Sequence, residues 1–357
     1  MRVRVIVAAL AVLVASACSN GDDNKEASGR GDRPAACAAW ESGNDKALEA
    51  QAAKGLPGLA PNPSAKQLMN FIELNCDRYP NAPKRRVATP DDIAIPGVTL
   101  CDTLPVPPIP ADPKSGMTIF GDLTKADPYA GRMLAVIWNP SSGDNHAGDG
   151  PATPVKVHGR DAVAAPITVF QQTILPELGT VIAWSEGGTN FGLYGRGWTL
   201  AERDELVRMA DSTFTADGGY AVEFMPTGFG RVFNGNAAVG SLFLLTANPL
   251  YLVHFKGQHG VLDLGGLAMT AEEYQAFRFF TTDVKPQRIG NRDGFVGNAW
   301  GKNGPSVVTW REPDGLVLRI VGIGEPVDKA LAVAAATREL GDGEWIQLVE
   351  HDADCTA

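Results

Sequence analysis

The chain is short of histidine and cysteine and has no long apolar run beyond its first residues, and each shortage removes a class of function. It has five histidines and five cysteines in 357 residues, and no two cysteines stand in a Cys-x-x-Cys pair, so metal-ligand spacing is absent. No Gly-x-Ser-x-Gly elbow occurs, and spacing places no base beside Ser141 or Ser142. His254 and His259 fall on a strand-like run and a glycine-bearing turn, so they cannot share a helical face as a His-Glu-x-x-His site requires. Clustered Lys and Arg are also missing. The formal charge is −10 and the one short basic group, Lys84-Arg85-Arg86, lies in a proline-rich stretch, which argues against a nucleic-acid partner. Gly195-Arg196-Gly197 and Gly322-Ile323-Gly324 precede helical patterns but lack the third glycine of a dinucleotide fingerprint and the lysine of a P-loop. They read as tight strand-to-helix turns, and no cofactor is expected.

What is present begins with an export signal. Arg2 and Arg4 precede the apolar run from Val5 to Val14, too short to span a bilayer and shaped like a signal-peptide core. The run leads into Ala15-Ser16-Ala17-Cys18. This resembles the lipobox of bacterial lipoproteins, in which the leader is cut before the cysteine and that cysteine is acylated. Ala17 and Cys18 match, and Ala15 stands where that family more often has Leu. The resemblance implies a lipoprotein acylated (palmitate-type) at Cys18, held on the outer side of a cell membrane or envelope through its N-terminal lipid. Residues 1–17 are then the signal peptide. Residues 18–33, polar and nearly devoid of apolar side chains, are the lipidated tether. Arg30-Gly31-Asp32 inside it is a chance tripeptide rather than an integrin ligand.

With Cys18 acylated, Cys37, Cys76, Cys101 and Cys355 remain, an even number that suggests two disulfides with three possible pairings. Residues 34–80 read as a helical hairpin. Asp45 to Lys54 is rich in helix formers and ends at Gly55, while Ser64 to Gln67 is a capping box opening a segment with Leu68, Ile72 and Cys76 at helical spacing. Antiparallel packing of the two would bring Cys37 beside Cys76. Prolines crowd residues 81–116, which reads as an extended linker, and pairing of Cys101 with Cys355 would staple it to the last residues.

The remainder reads as two diverged copies, residues 117–228 and 229–357. Thr180 to Tyr220 and Ser306 to Trp345 each hold an apolar run ending in Trp (Trp184, Trp310), a glycine-bearing turn, and a second run ending in Gly-x-Gly. Helices follow. One is capped by Thr199 and Glu202 with a stripe of Leu206, Met209, Ala210, Thr213 and Phe214; the other has Val327, Ala330, Leu331, Ala334 and Ala335, with Gly341 at its C′ position. A short aromatic-led strand at Tyr220 or Trp345 would complete each copy. Between the copies, Thr270 to Glu273 opens another short helix. The fold class expected is α+β: an N-terminal helical hairpin followed by two pseudo-repeated antiparallel-sheet-plus-helix modules.

These copies resemble an uncharacterised domain of bacterial envelope proteins associated with anti-sigma factors and sporulation. Its pattern is a Trp-ended strand, a glycine-bearing turn, a second strand and a helix. Trp184, Gly187, Gly188, Glu205, Leu206, Val207 and Ala210 match in the first copy, and Trp310, Gly315, Leu331, Val333 and Ala335 in the second. The resemblance implies an envelope, regulatory or binding context and transfers no active site.

No catalytic residue is assigned. Asp144, His146 and Asp149 form the most ligand-like loop, but it lacks the Asp-x-Asp-x-Asp-Gly order and closing Glu of a calcium site, so no metal is assigned there. Glu186 and Glu312, each two residues after the repeated Trp, are a carboxylate pair in sequence only, and Trp184, Trp310 and Trp345 read as core anchors. The function expected is a lipid-anchored envelope protein with a non-enzymatic binding, sensory or scaffold role toward an envelope protein. The alternatives are a carrier of a lipid or other apolar ligand between the two modules, and an envelope hydrolase. The Asp144–Asp149 loop and the segment Phe243 to His259 are where a site is sought first.

Overall fold

Strands outweigh helices among the described residues, and their burial patterns show why. Tyr251–Lys256 alternates buried and half-buried residues along its whole length, and Met133–Asn139 is buried on both faces. The first is a strand with one face on a core and the other near solvent; the second lies between two layers. The computed structural model describes residues 34–355 except 43, 57–60, 65–66, 69–70, 73–75, 77–84, 91, 106–114, 140–150, 170–172, 175–177, 217, 237–250, 300–303 and 352–354. The signal peptide, Cys18, the tether and the Asp144–Asp149 loop lie outside the described residues.

The chain divides after residue 80 into two compact units. In the first, α1 (Ala35–Glu41) and α2 (Asp45–Lys54) are the described helices. Asn44 caps α2 by accepting from the Ala47 N–H at 3.1 Å, and Ser64 and Gln67 form the expected reciprocal cap. A disulfide joins Cys37 on α1 to Cys76, inside a small core with Trp40, Leu48, Phe71 and Ile72.

The second unit holds two seven-stranded antiparallel sheets. Their strands are β1 (Thr99–Pro105), β2 (Gly116–Asp122), β3 (Met133–Asn139), β4 (Thr153–Val157), β5 (Arg160–Pro166), β6 (Gly179–Glu186), β7 (Thr189–Arg196), β8 (Phe229–Asn236), β9 (Tyr251–Lys256), β10 (Val261–Ala268), β11 (Thr281–Ile289), β12 (Arg292–Ala299), β13 (Ser306–Arg311) and β14 (Leu316–Ile323). Sheet I runs β8-β2-β3-β7-β6-β5-β4 and sheet II runs β1-β9-β10-β14-β13-β12-β11. The two orders match position by position, except that each sheet's first strand comes from the far part of the chain. β1, before β2 in sequence, pairs with β9, while β8, before β9, pairs with β2.

This arrangement overturns the expected helical hairpin followed by two α+β modules. Among the described residues strand accounts for 46% and helix for 24%, with only short helices, so the fold is mostly β. The apolar stripes read as helix-forming were real but brief. In the stripe from Leu206, only Leu206, Met209 and Ala210 lie on α3 (Arg203–Asp211); Thr213 and Phe214 belong to a strand, Thr213–Ala216, and Phe214 is exposed. Gly341 does not end a helix but starts one, as N-cap of α6 (Asp342–Glu350), and Trp345 is a buried helical residue, not a strand residue. The remaining helices are α4 (Ala271–Ala276), capped by Thr270 and Glu273, and α5 (Val327–Ala336). The proline-rich stretch supplies β1, an edge strand, where missing N–H donors are tolerated.

The sheets meet face to face. Met117, Ile119, Ala135, Val181, Tyr194 and Phe233 of sheet I form one cluster with Leu267, Phe295 and Val317 of sheet II. On the outer face of sheet I, α3 packs on Leu134, Val136, Ile182, Trp184 and Leu193. On the outer face of sheet II, α5 and α6 pack on Val253, Leu264, Trp310, Leu318 and Ile320. Gly195 permits the first contact, because a Cβ there would stand 2.5 Å from Leu206 Cδ2. Gly187 and Gly188, at φ +59° and +79°, make the β6–β7 turn, which needs the left-handed region twice. Arg196 bridges the layers: its Nη1 donates to the carbonyls of Arg278 (2.8 Å) and Phe279 (3.2 Å) on the turn after α4. Burial, and next the Arg278 charge, bring the Arg196 guanidinium down to about 10. The second disulfide, Cys101–Cys355, fastens β1 to the C-terminal residues beside α6.

Candidate functional site

The residues singled out in the sequence mostly have folding roles. Trp184 and Trp310 are buried on the outer faces of different sheets. Glu186 and Glu312 likewise lie in separate sheets, each held by a base from the neighbouring strand or turn. Glu186 accepts from His158 Nδ1 (2.8 Å) and Arg160 Nε (3.3 Å); Glu312 accepts from Arg292 Nη1 (3.1 Å) and Trp310 Nε1 (3.0 Å). They are ion pairs within their own sheets rather than two carboxylates facing one sugar bond. The backbone N–H groups of His259 and Gly260 donate to the buried Glu325, and His351 Nε2 donates to the Leu100 carbonyl at 3.1 Å. The Gly-x-Gly runs end their strands, with Gly197 and Gly324 at φ +79° and +77°. His146, with Asp144 and Asp149, falls outside the described residues.

One histidine is placed differently. The alternation of β9 sends Tyr251, Val253 and Phe255 into the helix-covered core, so His254 points to the other face, toward the inter-sheet side. Register puts Asp263 of β10 opposite it on one flank and Asp102 of β1 opposite it on the other. His254 Nδ1 donates to Asp263 Oδ1 at 2.6 Å. The same face continues inward. Arg319 of β14 stands opposite Gly265, two residues along from Asp263, and Thr309 of β13 stands opposite Arg319. Beyond them come Val317 and Leu267 of the inter-sheet core.

Exposure falls steadily along this row. Val261 and Ile323, paired at the outer end, are 43% and 48% exposed; Arg319 and Thr309 are 4% and 1% exposed. The face thus leads from solvent past a half-buried histidine–aspartate pair to a buried guanidinium and hydroxyl.

The electrostatics sharpen the picture. Burial disfavours the His254 imidazolium, but the Asp263 hydrogen bond and the charges of Asp263 and Asp102 more than offset it, so its pKa is raised. Burial brings the Arg319 guanidinium down to about 9, against the opposing charge of Asp263, which leaves it protonated at neutral pH. Arg319 also lies over the Phe277 ring at 4.6 Å. Neither its Nη1 nor the Thr309 Oγ1 has a hydrogen-bond partner among the described residues.

Asp263 is the hydrogen-bond partner of His254, and among the described residues no hydroxyl or thiol bonds its other ring nitrogen. Among the described residues the pair is a dyad, without the nucleophile of a triad bonded to it. Among the described residues no group of three or more His, Cys, Asp or Glu could hold a metal ion. What the arrangement can do is donate hydrogen bonds, from a buried cation, a hydroxyl and a histidine that gains a proton readily. Sequence reasoning pointed to the segment ending at His259 but missed Asp102, Asp263, Thr309 and Arg319. A signal was there: Asp263 and Arg319 are single charged residues inside otherwise apolar strands, VLDLGGLA and LVLRIVGI.

Among the described residues no helix is long and apolar enough to cross a membrane. The chain matches no protein-family model, no curated protein and no solved structure.

Proposed function

We propose that this chain is a lipid-anchored, extracytoplasmic envelope protein that binds a ligand or partner without turning it over, and that its binding surface is the His254 end of the inner face of sheet II. The observation that carries the reading is the His254–Asp263 pair, half-buried at the open end of that face with no nucleophile beside it among the described residues. A hydrolase needs a third group there; a binding site does not. Two disulfides favour an oxidising compartment, and the lipobox-like Ala17-Cys18 favours anchoring through acylated Cys18. The uncharacterised envelope domain that the Trp184 and Trp310 stretches resemble offers the same context.

The test is a turnover screen of the purified chain against ester, peptide, phosphate and glycan substrates, beside His254→Ala. No turnover by either protein is the expected result. Turnover abolished by His254→Ala would replace the binding reading with the hydrolase. For the anchor, the full chain should partition into detergent and Cys18→Ser should not; equal partitioning would remove lipidation from the proposal.

A further inference from the structure

We propose that the inner face of sheet II is an anion site for a carboxylate group, received by the Arg319 guanidinium and the Thr309 hydroxyl; this rests on the binding reading above and names the ligand chemistry. Native proteins leave few buried polar atoms unpaired, because each such group costs its desolvation without return. Here two unpaired atoms belong to directly opposed residues on adjacent strands, facing the same way. Of the nine such atoms among the described residues, these two are the ones that share a cross-strand pair, and a shared acceptor explains both. Arg319 and Thr309 are both more than nine-tenths buried, so bulk water does not supply that acceptor.

The chemistry selects the acceptor. A guanidinium presents parallel N–H groups that fit the two oxygens of a carboxylate, and the Thr hydroxyl adds a third donor. From Arg319, Asp263 and Asp102 stand one and three strands along the same face, with His254 between them. Against those carboxylates a singly charged ligand is tolerated far better than a phosphate of nearly two charges. The exposed apolar pair Val261 and Ile323, at the outer end of the face, offers apolar contact to the hydrocarbon part of an organic acid. The charged groups facing His254 are Asp263 on β10, Asp102 on β1 and, through Asp263, Arg319 on β14, with Lys256 two residues along its own strand. Protonated His254 neutralises Asp263 and so favours the incoming anion; neutral His254 does not.

The experiment uses the full chain carrying Cys18→Ser, with acetate as probe, acetamide as its neutral isostere and chloride as the ionic-strength control. Acetate is expected to shift the Thr309 amide and Arg319 side-chain NMR signals saturably, while acetamide and chloride do not. Acetate affinity should drop about tenfold or more in Arg319→Met and in Thr309→Val, the loss of a hydrogen bond to a charged group. It should also weaken between pH 6 and pH 8. Thr309→Val is nearly isosteric and keeps the test usable if Arg319→Met does not fold. Acetate responses no larger than those to chloride, or unchanged in both variants, overturn the carboxylate assignment. Saturable binding of acetamide in place of acetate overturns it too, while leaving the binding reading intact.

Discussion

Glu186 and Glu312 occupy matching positions in the two sheets, each two residues after a buried Trp, and they offer a controlled test of what burial does to an ion pair. The perturbation is Glu→Ala at each site separately. Glu312 is 6% exposed, and its carboxylate takes hydrogen bonds from Arg292 Nη1 at 3.1 Å and Trp310 Nε1 at 3.0 Å, with Arg85 Nη1 at 3.5 Å. Removing it leaves the Arg292 guanidinium, whose side chain is only 15% exposed, with neutral acceptors alone at Thr337, Ala334 and Ile289, and leaves a buried indole N–H unpaired. Breaking a buried pair from one side costs about 3–5 kcal/mol. The Glu186 side chain is 35% exposed and its Arg160 partner 55%, so solvent screens the pair and its loss costs about 0–1 kcal/mol. Glu312→Gln separates the terms: it keeps an oxygen acceptor for Trp310 and loses the charge facing Arg292, and should fall between the two alanine variants. The assay is equilibrium urea unfolding at pH 7 with the disulfides intact. If Glu312→Ala and Glu186→Ala cost the same within about 0.5 kcal/mol, the argument from burial is refuted.

Four further outcomes are expected. Replacing Cys101 and Cys355 together with Ser opens a loop of 254 residues and should destabilise the second unit by about 2–5 kcal/mol, read by the same urea titration. The raised His254 pKa contributes stability that is fully present below about pH 6.5 and is lost as pH rises through the folded value, so thermal midpoints should decline across that window and the decline should flatten in Asp263→Asn. Gly195→Ala should destabilise by at least about 1–3 kcal/mol, because its Cβ meets Leu206 Cδ2 at 2.5 Å and α3 must move off sheet I; an unchanged urea midpoint would show that α3 is not tightly seated. Residues 81–228 and 229–357 produced separately should each fail to melt cooperatively, since one lacks β8 and the other β1, whereas co-expression should restore a joint transition seen by circular dichroism.

How much of this was legible in the sequence depends on whether the signal was local. Asp45–Lys54 forms the helix its composition and Gly55 imply, and the caps at Ser64, Thr199 and Thr270 all form, because capping is decided within four residues. The Trp-ended strand, Gly187-Gly188 turn and second strand were readable for the same reason. The balance of strand over helix was not. The stripe from Leu206 to Phe214 has helical spacing throughout, yet the helix stops at Asp211, and the strand that follows is stabilised by pairing with Gly219–Val222, which only tertiary structure reveals. The candidate site was illegible for a stronger reason. Asp102, His254, Asp263, Thr309 and Arg319 come from five strands, and their meeting depends on the order β1-β9-β10-β14-β13 and on register, neither of which any window of sequence contains.

The exchange of β1 and β8 ties the site to the chemistry of the compartment. β1 is an edge strand, so one side of it is held by hydrogen bonds to β9 and the other side by nothing in the sheet. Cys101 and Asp102 are neighbours on it, at the point where its register against β9 shifts. Cys101 fixes the strand through Cys355 and the packing of α6, while Asp102 stands opposite His254. The disulfide thus anchors the strand whose next residue sets one of the charges around His254. An edge strand that ends in Pro105 and is drawn from the far half of the chain has little local reason to stay in place, and a covalent tie supplies one. Where thiols stay reduced that tie is absent; where they oxidise, β1 is fixed and the acidic side of the His254 cluster with it.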